Sequence, residues 1–191
     1  MRDAGLASMG YFYFDFKDTS KQSARALLTS LLIQRSAQSD ACCEILSALY
    51  SAYDAGSNQP SDDVLRDCLR SMLATSGQGP TFIVVDALDE CPQSTGTPSP
   101  RGRVLNLVEW IANLHYPHLH LCVTSRPEAD IQAALETLAS HTVSLHNESG
   151  QTEDIKNYIN FFIKTDAGTR KWRNQDQELV ICKLSQQAGG M

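Results

Sequence analysis

The stretch Phe82-Ile83-Val84-Val85-Asp86-Ala87-Leu88-Asp89-Glu90 reads as a buried strand that runs out into acid. Its near-continuous aliphatic run is the pattern of a parallel-sheet strand covered on both faces. Such a strand delivers Asp86 to its C-terminal edge, where open α/β sheets bind their ligands. Asp86, Asp89 and Glu90 then stand within one short segment. Like charges this close repel, so a cation is their natural partner. Mg2+ held through one or two carboxylates plus phosphate oxygens suits them. On that reading Asp86 holds the metal, directly or through water, and Asp89 or Glu90 orients an attacking water as general base. The plainer alternative is that Asp89 and Glu90 only open a solvated loop before Pro92.

A second apolar run, LHLCV (119–123), ends in Thr124-Ser125-Arg126. It places a guanidinium at the same sheet edge as Asp86, and the planar fork of arginine matches phosphate oxygens. A loop arginine paired with Glu90 or Glu128 is the bland alternative. Taken together, an acidic strand end beside a Thr-Ser-Arg strand end describes a nucleotide-phosphate site, with Asp86, Thr124, Ser125 and Arg126 as its binding residues.

Two further segments, YFYFDF (11–16) and HTVSL (141–145), read as strands, and helices fill the intervals. Ala24, Leu27, Leu28, Leu31 and Leu32 follow helical spacing, with Thr19 or Ser20 as N-cap. A second helix opens at Ser39, buries Ile45, Leu46, Leu49, Tyr50 and Tyr53, and stops by Gly56. A third starts at Ser61, with Asp62 and Asp63 favouring its dipole, and presents Val64, Leu65, Cys68, Leu69, Met72 and Leu73 on its apolar face. The Pro- and Ser-rich CPQSTGTPSPRGR (91–103) reads as a mobile surface loop. Helices are expected over 104–114 and 128–138. The order strand, helices, then β-α-β-α-β predicts an α/β three-layer fold with a parallel sheet and right-handed crossovers. From Thr152, which is expected to cap a helix with Ile155, Tyr158, Ile159, Phe162 and Ile163 on its apolar face, the pattern is helical only. Leu179, Val180 and Leu184 mark one more helix.

Residues 1–151 carry ten basic and seventeen acidic groups, and 152–191 carry six and five. This change of character suggests a boundary near 150, with a core over 1–150 and a partial helical module over 151–191. The net charge of −6 argues against nucleic-acid binding, which rests on neutralising phosphates. No apolar run approaches the length of a membrane span. The N-terminus carries no apolar core of a signal peptide. Six cysteines without a CxxC pair read as buried thiols in a reducing, cytoplasmic setting. His115, His118 and His120 lie close together, but nothing completes a tetrahedral metal set with them.

VVDALDEC (84–91) and LHLCVTSRPE (119–128), with YFYFDFKD (11–18) upstream, resemble the NACHT-type NTPase domain of STAND proteins in its fungal nephrocystin 3-like N-terminal version. The resemblance implies a P-loop NTPase fold that uses Mg2+ with ATP or GTP. It implies that Asp86 is the Walker B aspartate, that Asp89 and Glu90 stand beside the hydrolytic water, and that Arg126 senses the γ-phosphate. It further implies a nucleotide-driven oligomerisation switch, working with copies of itself or other NACHT chains. An effector domain upstream and ankyrin, WD40 or TPR repeats downstream would complete the parent protein.

One departure is large. A P-loop needs G-x-x-x-x-G-K-[ST] to cradle phosphates. The six lysines here, Lys17, Lys21, Lys156, Lys164, Lys171 and Lys183, are each preceded by a residue other than glycine. The family's strand order of 5-1-4-3-2 puts the missing Walker A strand at the centre, between LHLCVT and HTVSL. The expectation is therefore an interrupted sheet, a chain that starts inside the domain, and weak or absent nucleotide binding by the chain alone. The alternative is a non-catalytic interaction remnant or scaffold that pairs with other NACHT chains. A phosphoacceptor receiver domain also places an aspartate and a Thr/Ser at strand ends, but HTVSLHNES supplies no lysine after the last strand.

Overall fold

The computed structural model describes residues 7–75, 79–93, 98–144 and 149–188, which fall into two compact units, Met1–Ala139 and Ser140–Met191. In the first unit β1 (Ser8–Tyr13), β2 (Thr81–Asp86) and β3 (Leu119–Val123) form a parallel sheet in the order β1-β2-β3. Ser8 pairs with Thr81 and Tyr13 with Asp86, while Thr81 pairs with Leu119 and Val85 with Val123. The helices are α1 (Ala24–Ser36), α2 (Asp40–Ala52), α3 (Asp62–Leu73), α4 (Pro100–Ala112) and α5 (Ala129–Leu135).

One face of the sheet is buried. Phe12, Ile83 and Val85 pack in one cluster with Leu27, Leu28, Leu31 and Leu32 of α1, Leu69, Met72 and Leu73 of α3, Val104, Leu107, Val108 and Ile111 of α4, and Ile131 of α5. Fully burying each such side chain is worth about 1.5–3 kcal/mol. The other face is open: Met9, Tyr11, Tyr13 and Phe82 are 40–51% exposed, and His120 and Cys122 are exposed too. This corrects two expectations, a sheet covered on both faces and three layers within the unit. The reason is topological. β1, β2 and β3 step across the sheet in one direction, and right-handed crossovers that all step the same way leave every helix on the same side. Covering the second face requires a reversal of that direction.

Several local expectations shift as well. β1 spans Ser8–Tyr13, three residues ahead of the YFYFDF reading, although Phe14 just beyond it is 2% exposed. Ser23, rather than Thr19 or Ser20, caps α1, and Asp18 caps a separate 3-10 turn over Thr19–Lys21. Ser61 caps α3 as expected. In α2 only Cys42 is buried and Tyr50 is 57% exposed, so that helix lies on the periphery. Residues 141–144 adopt no regular secondary structure, and Leu145 lies outside the described residues, so HTVSL contributes no strand among them. Cys42, Cys68 and Cys91 are buried thiols, whereas Cys43, Cys122 and Cys182 are exposed.

Leu31 of α1 packs directly over Gly10 of β1, where a Cβ would sit 2.9 Å from Leu31 Cδ2 and would make the leucine tip shift. The second unit contains α6 (Ser149–Thr165), a 3-10 turn (Thr169–Lys171) and α7 (Asn174–Ala188). Asp166 organises the turn by accepting hydrogen bonds from the backbone N–H groups of Gly168 and Thr169, both at 3.0 Å. Those bonds lower its carboxyl pKa. On α6 Ile163 is buried and Ile155 and Ile159 are half-buried, whereas Tyr158 and Phe162 of the same expected apolar face are exposed.

Candidate functional site

The parallel register of β2 and β3 sets their C-terminal ends side by side. Asp86 closes β2 and Thr124 follows β3. The Thr124 hydroxyl donates to Asp86 Oδ1 and accepts from the Ala87 N–H at 3.0 Å. The Leu88 N–H donates to the Thr124 carbonyl at 3.0 Å. Ala87, between these bonds, takes a left-handed conformation at φ 54 and ψ 46. For a residue with a Cβ that costs roughly 1–2 kcal/mol, and it turns the chain sharply into the 3-10 turn Leu88–Glu90.

Each of the three carboxylates reaches a different neighbour. Asp86 is exposed and bonded to Thr124. Asp89 accepts from the Arg126 backbone N–H at 3.0 Å on Oδ1 and faces Arg126 Nε at 3.4 Å on Oδ2. Glu90 accepts from the Phe16 N–H at 3.2 Å, which fixes the segment after β1. The acidic segment therefore stitches together the ends of all three strands. Ser125 is exposed, and the Arg126 side chain is 79% exposed even while paired with Asp89.

Arg101 sits behind this segment, and the sequence reading passed over it. Its side chain is 6% exposed in the first turn of α4. Nε donates to the Cys91 carbonyl at 2.9 Å and Nη2 to the Asp89 carbonyl at 2.6 Å, while Nη1 meets Glu128 Oε2 and lies 3.4 Å from Asp130 Oδ2. Burial alone would lower its pKa, but the carboxylates of Glu128 and Asp130 more than offset that and raise it. The signal for Arg101 was present in Ser99-Pro100. Ser99 accepts from the Gly102 N–H and Pro100 opens the helix, so α4 begins inside the segment read as a loop.

Among the described residues no three His, Cys, Asp or Glu side chains gather closely enough to hold a metal. Asp86 would be a lone carboxylate ligand, with Thr124 orienting its Oδ1. That is compatible with a Mg2+ whose other ligands are water and phosphate. The phosphate cradle of a nucleotide site is what the residues lack: the sequence holds no glycine-rich lysine loop, and Arg126 rests against Asp89 with its side chain largely in solvent.

A helix-backed parallel sheet of three strands defines an α/β protein. The family model for the nephrocystin 3 N-terminal domain matches residues 2–126, and the chain belongs to that family. The match ends on Arg126 and so takes in both strand ends. No curated protein and no solved structure matches the chain. Among the described residues no helix is long and apolar enough to cross a membrane.

Proposed function

We propose that the chain is the metal- and γ-phosphate-sensing part of a NACHT-type nucleotide switch, and that tight nucleotide binding needs a phosphate cradle its own sequence does not contain. The observation that carries this reading is the juxtaposition of Asp86 with Thr124-Ser125-Arg126 through the Thr124–Asp86 hydrogen bond. Thr124 holds one oxygen of Asp86 and leaves Oδ2 free for a cation. Mg2+, when bound with ATP or GTP, would neutralise the terminal phosphates. Arg126, with an exposed side chain and a single side-chain contact to Asp89, can leave that partner for a phosphate oxygen. Asp89 and Glu90 serve first as ties between loops, and a general-base role would require one of them to be released. The free cysteines suit a reducing, cytoplasmic setting.

Calorimetry of the 191-residue chain against Mg-ATP and Mg-GTP tests this reading. The expected result is no binding in the micromolar range. A micromolar Kd would mean that a phosphate cradle exists within the chain and would overturn the proposal.

A second reading, association with another NACHT-type chain or a second copy, is favoured by the outer edge of β3. Thr81 N donates to His118 O at 2.7 Å and Thr124 N to Val85 O at 2.9 Å, so Leu121 and Val123 point their main-chain groups away from β2. No strand pairs with that edge among the described residues. Self-association that ignores nucleotide and survives Asp86→Ala would favour this reading over the first.

A further inference from the structure

We propose that Arg101 is a positioning residue for Arg126, acting through Asp89 on one side and Glu128 on the other. The contacts form a closed ring. Arg101 Nη2 donates to the Asp89 carbonyl, and the Asp89 carboxylate receives the Arg126 N–H and faces its Nε. Arg126 O in turn accepts from the Glu128 N–H at 2.8 Å, and the Glu128 carboxylate returns to Arg101 Nη1. One buried guanidinium thus sets the backbone on both sides of an exposed one.

The chemistry suits the task. Carbonyl groups at Asp89 and Cys91 and carboxylates at Glu128 and Asp130 surround a planar group with five donors, which a lysine cannot reproduce. A buried cation with two acidic partners also resists being pulled out, so the ring stays closed while the Arg126 tip moves in solvent. The bearing of this on phosphate recognition rests on the proposed function; the ring of contacts does not.

Amide hydrogen exchange on the ligand-free chain tests the inference, comparing wild type with Arg101→Lys, Arg101→Met and the milder Glu128→Gln. The expected result is a selective loss: protection of the Arg126 amide falls about tenfold more than that of Leu69 or Ile83 in the core, and Lys does not restore it. Glu128→Gln should show the same selectivity at smaller size, which keeps the test open if Arg101→Met does not fold. Equal losses at Arg126 and the core, or an unchanged Arg126 amide, would overturn the proposal and assign Arg101 to general stability. Because no nucleotide is present, such a failure is distinct from failure of the switch reading, which calorimetry reports.

Discussion

The side chain of Gln34 is hydrogen-bonded to both main-chain groups of Tyr11: Nε2 donates to the carbonyl at 2.7 Å and Oε1 accepts from the N–H at 3.0 Å. Gln38 repeats the arrangement on Met9, at 2.8 and 2.9 Å. The two periods match, since four helical residues rise about 6 Å and two strand residues about 6.6 Å. A pair of glutamines on and just beyond α1 therefore closes the outer edge of β1 as another strand would. β1 is a guarded edge, whereas among the described residues no strand or side chain bonds to the outer edge of β3.

Replacing both glutamines, Gln34→Ala with Gln38→Ala, removes the four hydrogen bonds that close that edge, together with those from Gln34 Nε2 to Ser30 Oγ and from Gln38 Nε2 to the Gln34 carbonyl. Chemical denaturation is expected to register a loss of about 3–6 kcal/mol, at roughly 0.5–1 kcal/mol for each of the six partly exposed bonds. Sedimentation velocity should detect concentration-dependent association beyond that of the wild type. A variant as stable and as monodisperse as the parent would mean that the clamp guards nothing.

At the site, Thr124→Val removes the hydroxyl that joins Asp86 to the Ala87 N–H. The expected loss of stability is about 1–2 kcal/mol. In a double-mutant cycle with Asp86→Ala the two changes should couple by about 0.5–1 kcal/mol. Simple additivity would show that the two strand ends are not energetically joined.

The Cys91 thiol, buried and donating to the Gln22 carbonyl at 3.4 Å, has its pKa pushed up to about 11 by burial. The folded state holds this proton more tightly than the unfolded chain, whose thiol titrates at 9.0. Its contribution is therefore complete below that pH and fades as pH rises through 11, at up to about 1.4 kcal/mol per pH unit. Cys68, raised by burial and then by Cys42, acts in the same sense. Denaturation midpoints measured from pH 7 to 11 should fall across that window, and Cys91→Ala should flatten the slope.

Thiol alkylation of the native chain, followed by mass spectrometry, should mark Cys43, Cys122 and Cys182 quickly. Cys42, Cys68 and Cys91 should stay unmodified until denaturant is added. Early labelling of Cys91 would place the segment after β2 in a different conformation.

How far these features could be read in advance depended on what kind of information each needed. The strand at 81–86 and the apolar stripes of α1 and α3 are local patterns, and they stand where the periodicity put them. The face left open at Tyr11, Phe82 and Cys122 follows from the direction in which strands are added, which periodicity does not encode. Asp86, Thr124 and Arg126 meet at one edge because two legible strands are parallel neighbours. The assignment of Asp89 and Glu90 to tying loops could not be read, because their partners, Arg126 N and Phe16 N, are main-chain groups that leave no trace in composition. Arg101 was hidden by the Pro- and Ser-rich look of its surroundings, although Ser-Pro is itself a helix start.

An amide NMR titration of the chain with millimolar Mg-ATP reports directly on a phosphate-sensing edge without its cradle. Weak, fast-exchange shifts confined to Ala87, Ser125, Arg126 and their neighbours are expected, and Asp86→Asn should abolish them. An unperturbed edge at saturating Mg-ATP, or shifts that persist in Asp86→Asn, would contradict the assignment.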